Sequence, residues 1–278
     1  MILVNDHSVI AEYFPDGTLK MLNMPEMEPY PQDTIIWKFE SIAEQVLLYN
    51  IVCHLRDHGS NDIVLIMPYI PNARMDRVKA ETECFTLKYF AKFINDLNFS
   101  YVAVLDPHSD VAPALLNRVV VLDPSELIKS VLAEHNADII CFPDAGAYKR
   151  YSTLFSEMYD DGINLIPRIY CDKVRDWKTG KLLGMCVNHN LDISLEGKRV
   201  LIVDDLCSRG GTFMMCANEL KKLGVADIQL WVSHCENSIF AGKVLAEDSP
   251  ISAVWTTDSL KHGEHKKLFT FDFEVEEN

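Results

Sequence analysis

Between Arg199 and Thr212 the chain reads RVLIVDDLCSRGGT. Val200 to Val203 is a short apolar run of the kind that forms a buried parallel strand, and it ends in two adjacent carboxylates, Asp204 and Asp205. Gly210, Gly211 and Thr212 then open an amphipathic segment, FMMCANELKKLG, with Gly224 as its stop signal. Strand, acidic pair, glycine turn and helix in that order constrain the region to an α/β unit. At such a turn the backbone N–H groups and the positive end of the helix face outward, so a phosphate can sit on them. The acidic pair repels a phosphate, and its natural partners are hydroxyls or a divalent cation. Both features together suit a sugar phosphate, whose vicinal hydroxyls meet the carboxylates while the loop holds the phosphate. The competing reading is an ordinary βα turn with an acidic cluster.

A chain of 278 residues is long for one such unit and comfortable for two, and 48% apolar residues suffice for real cores. A net charge of −15 argues against nucleic acid or an anionic membrane as the main partner. No apolar run approaches ~20 residues and the N-terminus lacks a basic leader, so a soluble cytoplasmic protein is expected. The eight cysteines form no C-x-x-C pair and several lie in apolar runs, which reads as reduced core residues without a structural metal.

Along the chain, the opening through Asp33 reads as irregular, with FPDG as a turn and prolines at 15, 25, 29 and 31. Ser41-x-x-Glu44 is a capping box for a helix carrying Ile42, Val46, Leu47, Ile51 and Leu55 inward, closed by Gly59. Strand IVLIM, a helix over 86–98 and strand YVAVLD continue a βαβ alternation. Asp123-Pro124-Ser125 reads as a boundary, with Ser125 capping the next helix, after which the cycle restarts. Strand DIICFPD, a helix near 148–159, strand NLIPRIY, a polar hairpin and strand LLGMCV lead into the opening motif. Strand DIQLWVSH, helix SIFAGKVLAE, strand AVWTTD and strand LFTFDFEV follow. The expected fold class is α/β, two similar domains of mainly parallel sheet flanked by helices. Their limits are 1–124 and 125–278, with the last strand returning to the first domain.

Two further stretches carry chemistry. MPYIPNARMDR follows a buried strand, and Arg74 and Arg77, separated by Met75 and Asp76, suit either a bidentate clamp on polyphosphate or a solvated loop. VLDPHSD ends the next strand at His108, a residue that is either structural or a ligand.

The acidic pair with its glycine turn resembles the phosphate loop of the phosphoribosyltransferase fold, which Asp204, Asp205, Gly210, Gly211 and Thr212 match while Ser208 and Arg209 depart from it. PYIPNARMDR, with Pro68, Tyr69, Ala73, Arg74, Asp76 and Arg77, resembles a signature of the ribose-phosphate pyrophosphokinases that the transferases lack. DPHSD, CFPDAGAYKR, YCDKVRD and FPDG resemble four more of that family's motifs in the same order. This resemblance implies a Mg²⁺-dependent enzyme, with ATP held by Phe14, Asp16, Arg74, Asp76, Arg77 and His108. It further implies Mg²⁺ on His108 and Asp144, catalytic roles for Lys173 and Arg175 over the transferring phosphoryl group beside Arg74 and Arg77, and acceptor contacts from Asp204 through Thr212. A homo-oligomer, dimer or hexamer, is the expected assembly. The chain ends soon after LFTFDFEV without the family's C-terminal helix, which leaves oligomer contacts and allosteric control open.

The expected activity is transfer of pyrophosphate from ATP to the C1 hydroxyl of a 5-phosphorylated ribose, with AMP as the second product. Ser208 and Arg209 replace acidic or hydroxylic residues of the family loop and shift its charge toward positive, which suits an acceptor with more phosphate at C5. ADP-ribose, whose 1-pyrophosphate serves NAD biosynthesis and on which some phage-type relatives act, therefore stands beside ribose 5-phosphate. A transferase consuming PRPP and a non-catalytic regulator of a synthetase are the alternatives.

Overall fold

The computed structural model describes residues 1–25, 31–157, 166–175, 182–188 and 194–273. By internal packing the chain divides into two units, Met1–Asp123 with Ser259–Lys261, and Pro124–Asp258 with His262–Asn278.

The first unit contains strands β1 (Ile2–Val4), β2 (His7–Tyr13), β3 (Leu19–Leu22), β4 (Asp33–Trp37), β5 (Ile63–Ile66), β6 (Val102–Leu105) and β7 (Val119–Leu122). Its helices are α1 (Glu44–Asp57), α2 (Thr86–Asp96) and the short α3 (Val111–Leu115). The sheet order is β3-β2-β1-β4-β5-β6-β7. Strands β4 to β7 run parallel, whereas β1 to β3 add an antiparallel edge beside β4. The α/β alternation predicts the parallel part, since each crossover helix returns the chain to the same sheet end. Every residue of β5 and β6 is buried, as continuous apolar runs require.

The second unit contains α4 (Ser125–His135), β8 (Ile139–Phe142), α5 (Ala145–Glu157), β9 (Arg168–Arg175), β10 (Leu182–Asn188) and β11 (Arg199–Cys207). It continues with α6 (Gly211–Lys222), β12 (Asp227–Cys235), β13 (Ala253–Thr257) and β14 (Leu268–Phe271). The order is β10-β9-β8-β11-β12-β13-β14, parallel except for the β9–β10 hairpin. Strand alternation sends side chains into two helical layers. Ile139, Cys141, Val200, Ile202, Ile228 and Leu230 join the core under α6, while Ile140, Phe142, Leu201, Val203 and Trp231 join the one under α4 and α5. The chain leaves β8 toward β9 and leaves β11 toward β12, so the β8/β11 boundary is a topological switch point, with a crevice beyond the strands' carboxyl ends.

The structure corrects several expectations. The opening is a strand meander, because Asn5 and Asp6, both left-handed (φ 47° and 65°), make a two-residue turn that seats Val4 opposite His7. The Asn5 amide side chain also bonds to β4, reaching Asp33 Oδ1 at 2.7 Å and accepting from the Thr34 amide at 2.9 Å. Helix α1 begins at Glu44 with no hydroxyl cap. The Glu44 carboxylate instead collects the Trp37 indole N–H at 3.0 Å, the amides of Glu40 and Ser41 and the terminal ammonium, so the acidic half of the box is the half that is used. Ile42 and Val46 point outward, 63% and 58% exposed, rather than into the core. Ser125 starts α4 instead of capping it, the cap position being Pro124. No α-helix forms over SIFAGKVLAE; a 3₁₀ turn at Asn237–Ala241 ends at Gly242. The last strand completes the second sheet and not the first, pairing in parallel with β13 and stacking Phe269 on Trp255 with ring centroids 4.6 Å apart.

Candidate active site

The loops that carry Arg74, Arg77, His108, Asp144 and the glycine turn follow the carboxyl ends of the parallel strands β5, β6, β8 and β11. In the first unit the chain beyond β5 stays beside β6, with the Leu105 amide bonded to Pro68 O at 3.0 Å. This brings the loop from Met67 to Arg77 against Asp106–Ser109. Asp76 is the hinge of that contact. It is buried, accepts from Arg77 Nε at 2.8 Å and Nη2 at 3.2 Å, and lies near Ser109 and His108. The Arg77 hydrogen bonds, with help from Ser109 and His108, hold its carboxyl below the usual range against the opposing effect of burial. Asp76 thus positions the loop, while Arg74 and Arg77 sit exposed on it. The structure therefore brings Arg74, Asp76, Arg77 and His108 together in one loop pair.

Phe14 and Asp16 occupy the turn between β2 and β3. Asp16 Oδ1 accepts the Thr18 amide at 2.9 Å and the Thr18 hydroxyl at 2.6 Å, which keep its carboxyl low, and Phe14 is 49% exposed. Thr18 therefore fixes the turn and ties Asp16 to it.

In the second unit Asp204 and Asp205 lie within β11, which runs on to Cys207 instead of ending at the pair. Arg150, on α5, donates from Nη2 to Asp204 Oδ1 at 3.0 Å and to Asp205 Oδ1 at 2.8 Å. Burial and the neighbouring Asp205 charge push the Asp204 carboxyl well above its ordinary value, with Arg150 pulling the other way. Two carboxyls sharing one guanidinium nitrogen leave acceptor oxygens over, which suits hydroxyl partners. Asp144, at the end of β8, accepts the amides of Gly146 and Ala147 on Oδ1, each at 3.0 Å, and so caps α5 and orients the helix that delivers Arg150. Arg150 was within reach of sequence reading, since it stands in CFPDAGAYKR; its pairing across 54 and 55 residues was not.

The glycine turn has the form a phosphate cradle needs. Gly210 is left-handed (φ 72°), a Cβ on it would lie 2.1 Å from Val244 Cγ2, and α6 starts without a side-chain cap on its first amides. A Cβ on Gly242 would lie 2.0 Å from the Arg209 carbonyl oxygen. Such interlocking of loop and β12–β13 connection explains the missing helix there. Around Gly211, in contrast, a Cβ would meet nothing within 4 Å. Ser208 donates to Glu236 Oε2, which Ser238 also reaches at 3.0 Å, so a carboxylate just past the end of β12 stands beside the loop. Arg209 is exposed at its tip.

Lys173 and Arg175 belong to β9, opposite Met185 and Leu182 of β10, so the segment read as the start of a hairpin loop is strand. Their side chains lie outside the described residues, as does the segment 176–181.

Sequence comparison finds relatives over most of the chain. It is 27% identical over 207 residues to the ribose-phosphate pyrophosphokinase of Saccharolobus solfataricus, covering 74% of this chain and 65% of that one. Against the enzyme of the same name from Sulfurisphaera tokodaii it is 26% identical over 253 residues, covering 89% and 82%. No family model matches. Among solved structures, the phosphoribosylpyrophosphate synthetase of Mycobacterium smegmatis shares the fold, with a TM-score of 0.78 at 18% identity over 96% of this chain and 86% of that one.

Proposed function

We propose that this chain, a sequence relative of ribose-phosphate pyrophosphokinases, transfers the terminal pyrophosphoryl group of ATP to the C1 hydroxyl of a 5-phosphorylated ribose. The observation that carries the reading is the meeting, at one switch point, of the Asp204–Asp205 pair with an uncapped glycine turn. It supplies acceptors for vicinal hydroxyls and donors for a phosphate in one place. Similarity to named pyrophosphokinases favours ATP-dependent synthesis over consumption of a phosphoribosyl pyrophosphate. In the first unit, Arg74 and Arg77 offer the cations a nucleotide polyphosphate needs.

In the proposed reaction the C1 oxygen attacks the β-phosphorus, the bond from that phosphorus to the α–β bridging oxygen breaks, AMP leaves with that oxygen, and the hydroxyl proton passes to solvent. Asp204 and Asp205 orient the ribose through its 2- and 3-hydroxyls, and the amides of the glycine turn hold the 5-phosphate. Lys173 and Arg175 offset charge on the transferring oxygens, since phosphoryl transfer depends on positioning and charge neutralisation. The donor set fits Mg²⁺: the ionised Asp76 carboxylate beside His108 in the first unit, and the Asp144 carboxylate in the second. His108 would hold one ion and Asp144 a second, and each when bound would neutralise charge on phosphate oxygens.

Arg209 favours a second acceptor. An exposed guanidinium at the tip of the phosphate loop suits an acceptor carrying a diphosphate at C5, such as ADP-ribose, whose product would be the corresponding 1-pyrophosphate. The test is to incubate the protein with MgATP and each acceptor, identify the nucleotide product, and compare kcat/KM in wild type and Arg209→Ala. AMP formation is expected; ADP, or no turnover with either acceptor, overturns the reaction. Preference for ADP-ribose that falls ~10-fold in the variant, about 1.4 kcal/mol, supports the longer acceptor. An unaffected preference for ribose 5-phosphate removes it.

A further inference from the structure

Five of the eight cysteines are buried in the second unit, and three of them converge: Cys141 on β8, Cys171 on β9 and Cys216 on α6. Their sulfurs form a triangle with sides of 3.1 Å (Cys171–Cys216), 3.6 Å (Cys141–Cys216) and 3.9 Å (Cys141–Cys171). The reaction proposed above uses none of them. We infer that these three thiols form a binding site for a thiophilic monovalent cation, copper(I) in chemical class, held in three-coordinate sulfur geometry.

The dimensions support this. A point about 2.1 Å from each sulfur exists at the centre of the triangle, and metal–thiolate bonds are about 2.3 Å long, so loading needs movements of a few tenths of an ångström. The donor count excludes commoner ions. Structural zinc closes with four ligands, and among the described residues no fourth His, Cys, Asp or Glu joins the group. Soft thiolates select copper(I), which accepts three. The three sulfurs lie within the apolar core that includes Ile139, Ile169, Phe213 and Ala217, so a bound ion would meet soft sulfur donors, which release their protons on binding.

The experiment uses the reduced full chain, titrated anaerobically with copper(I) against a chromophoric chelator, in wild type and in a variant lacking the exposed or half-buried thiols (C53S/C84S/C186S). One ion per chain is expected in both, with three sulfur scatterers in X-ray absorption and a higher melting temperature. The buried pair Cys207 and Cys235, facing each other on β11 and β12, supplies at most two sulfurs and is distinguished by that count. C141A/C171A/C216A is expected to lose the ion while keeping the wild-type circular dichroism spectrum. No uptake by C53S/C84S/C186S, a two-sulfur environment, or undiminished uptake by a folded C141A/C171A/C216A overturns the site; the first two readings hold even if the buried variant fails to fold.

Discussion

Arg150 reaches Asp205 with an Nη2–Oδ1 distance of 2.8 Å, and the same nitrogen reaches Asp204 at 3.0 Å, so one guanidinium from α5 holds the two carboxylates of β11. With the Asp205 side chain 5% exposed and that of Arg150 25% exposed, the pair is mostly withdrawn from water. Removing Arg150 strands buried negative charge. Arg150→Ala is expected to lower unfolding stability by about 3 kcal/mol, the low end for a buried pair because the guanidinium is partly wet. Asp205→Asn in that background should restore part of it. Denaturant unfolding of the four proteins measures the coupling, expected at about 1–3 kcal/mol; additivity within ~0.5 kcal/mol would refute the arrangement.

Lys173→Ala and Arg175→Ala should each lower kcat by on the order of 10²–10³ while ATP affinity changes only a few fold, since their proposed role is confined to the transition state. Steady-state kinetics with a direct nucleotide-binding measurement separates the two effects. A loss appearing only in KM contradicts the role.

The two glycines of the phosphate loop region should respond oppositely. Gly242→Ala drives a Cβ against the Arg209 carbonyl and is expected to cost about 1–3 kcal/mol of stability. Gly211→Ala meets open space, so stability should change by no more than ~1 kcal/mol, yet under the proposed function acceptor KM should rise several fold because the methyl would stand where the proposed acceptor phosphate binds. Thermal melts and acceptor kinetics on both variants check the contrast. Equal stability losses would contradict it.

His135 gives a pH signature. It is 7% exposed, and burial lowers its pKa despite Asp227 Oδ2 lying 3.5 Å from Nδ1. The unfolded chain takes up a proton near pH 6.5 while the folded one resists, so the unfolded state binds more protons and stability falls as pH drops below about 6.5. His135→Gln should flatten that part of the stability–pH curve. Chemical denaturation at pH 5.5 to 7.5 is the measurement, and an unchanged slope in the variant would rule His135 out as its source.

What the sequence discloses follows from how locally each feature is determined. Val200–Val203, Ile63–Met67 and Tyr101–Asp106 are legible as buried strands because two-sided burial demands an unbroken apolar run. The glycine turn is legible because its backbone needs are written in residue type. The N-terminal meander is not, since its turn uses Asn5 and Asp6 with no glycine to announce it. Nor is the break at Gly242, whose cause is a backbone contact with Arg209, 33 positions earlier. The helical spacing of Ile42 and Val46 misleads for a related reason: periodicity reports a face, not what covers it, and both side chains are exposed. Arg150 shows the same limit at the candidate site, where only the folded α5 discloses which carboxylates it meets.

The interlock of Gly210 with Val244 and of Gly242 with Arg209 divides the loop into parts that can and cannot drift over evolutionary time. Its backbone path is fixed by contacts that tolerate no added atom. The side chain of Arg209 hangs outside the interlock, and the Ser208 hydroxyl is tethered to the Glu236 carboxylate. A lineage could therefore exchange residues 208, 209 and 236 while inheriting the same backbone path unchanged.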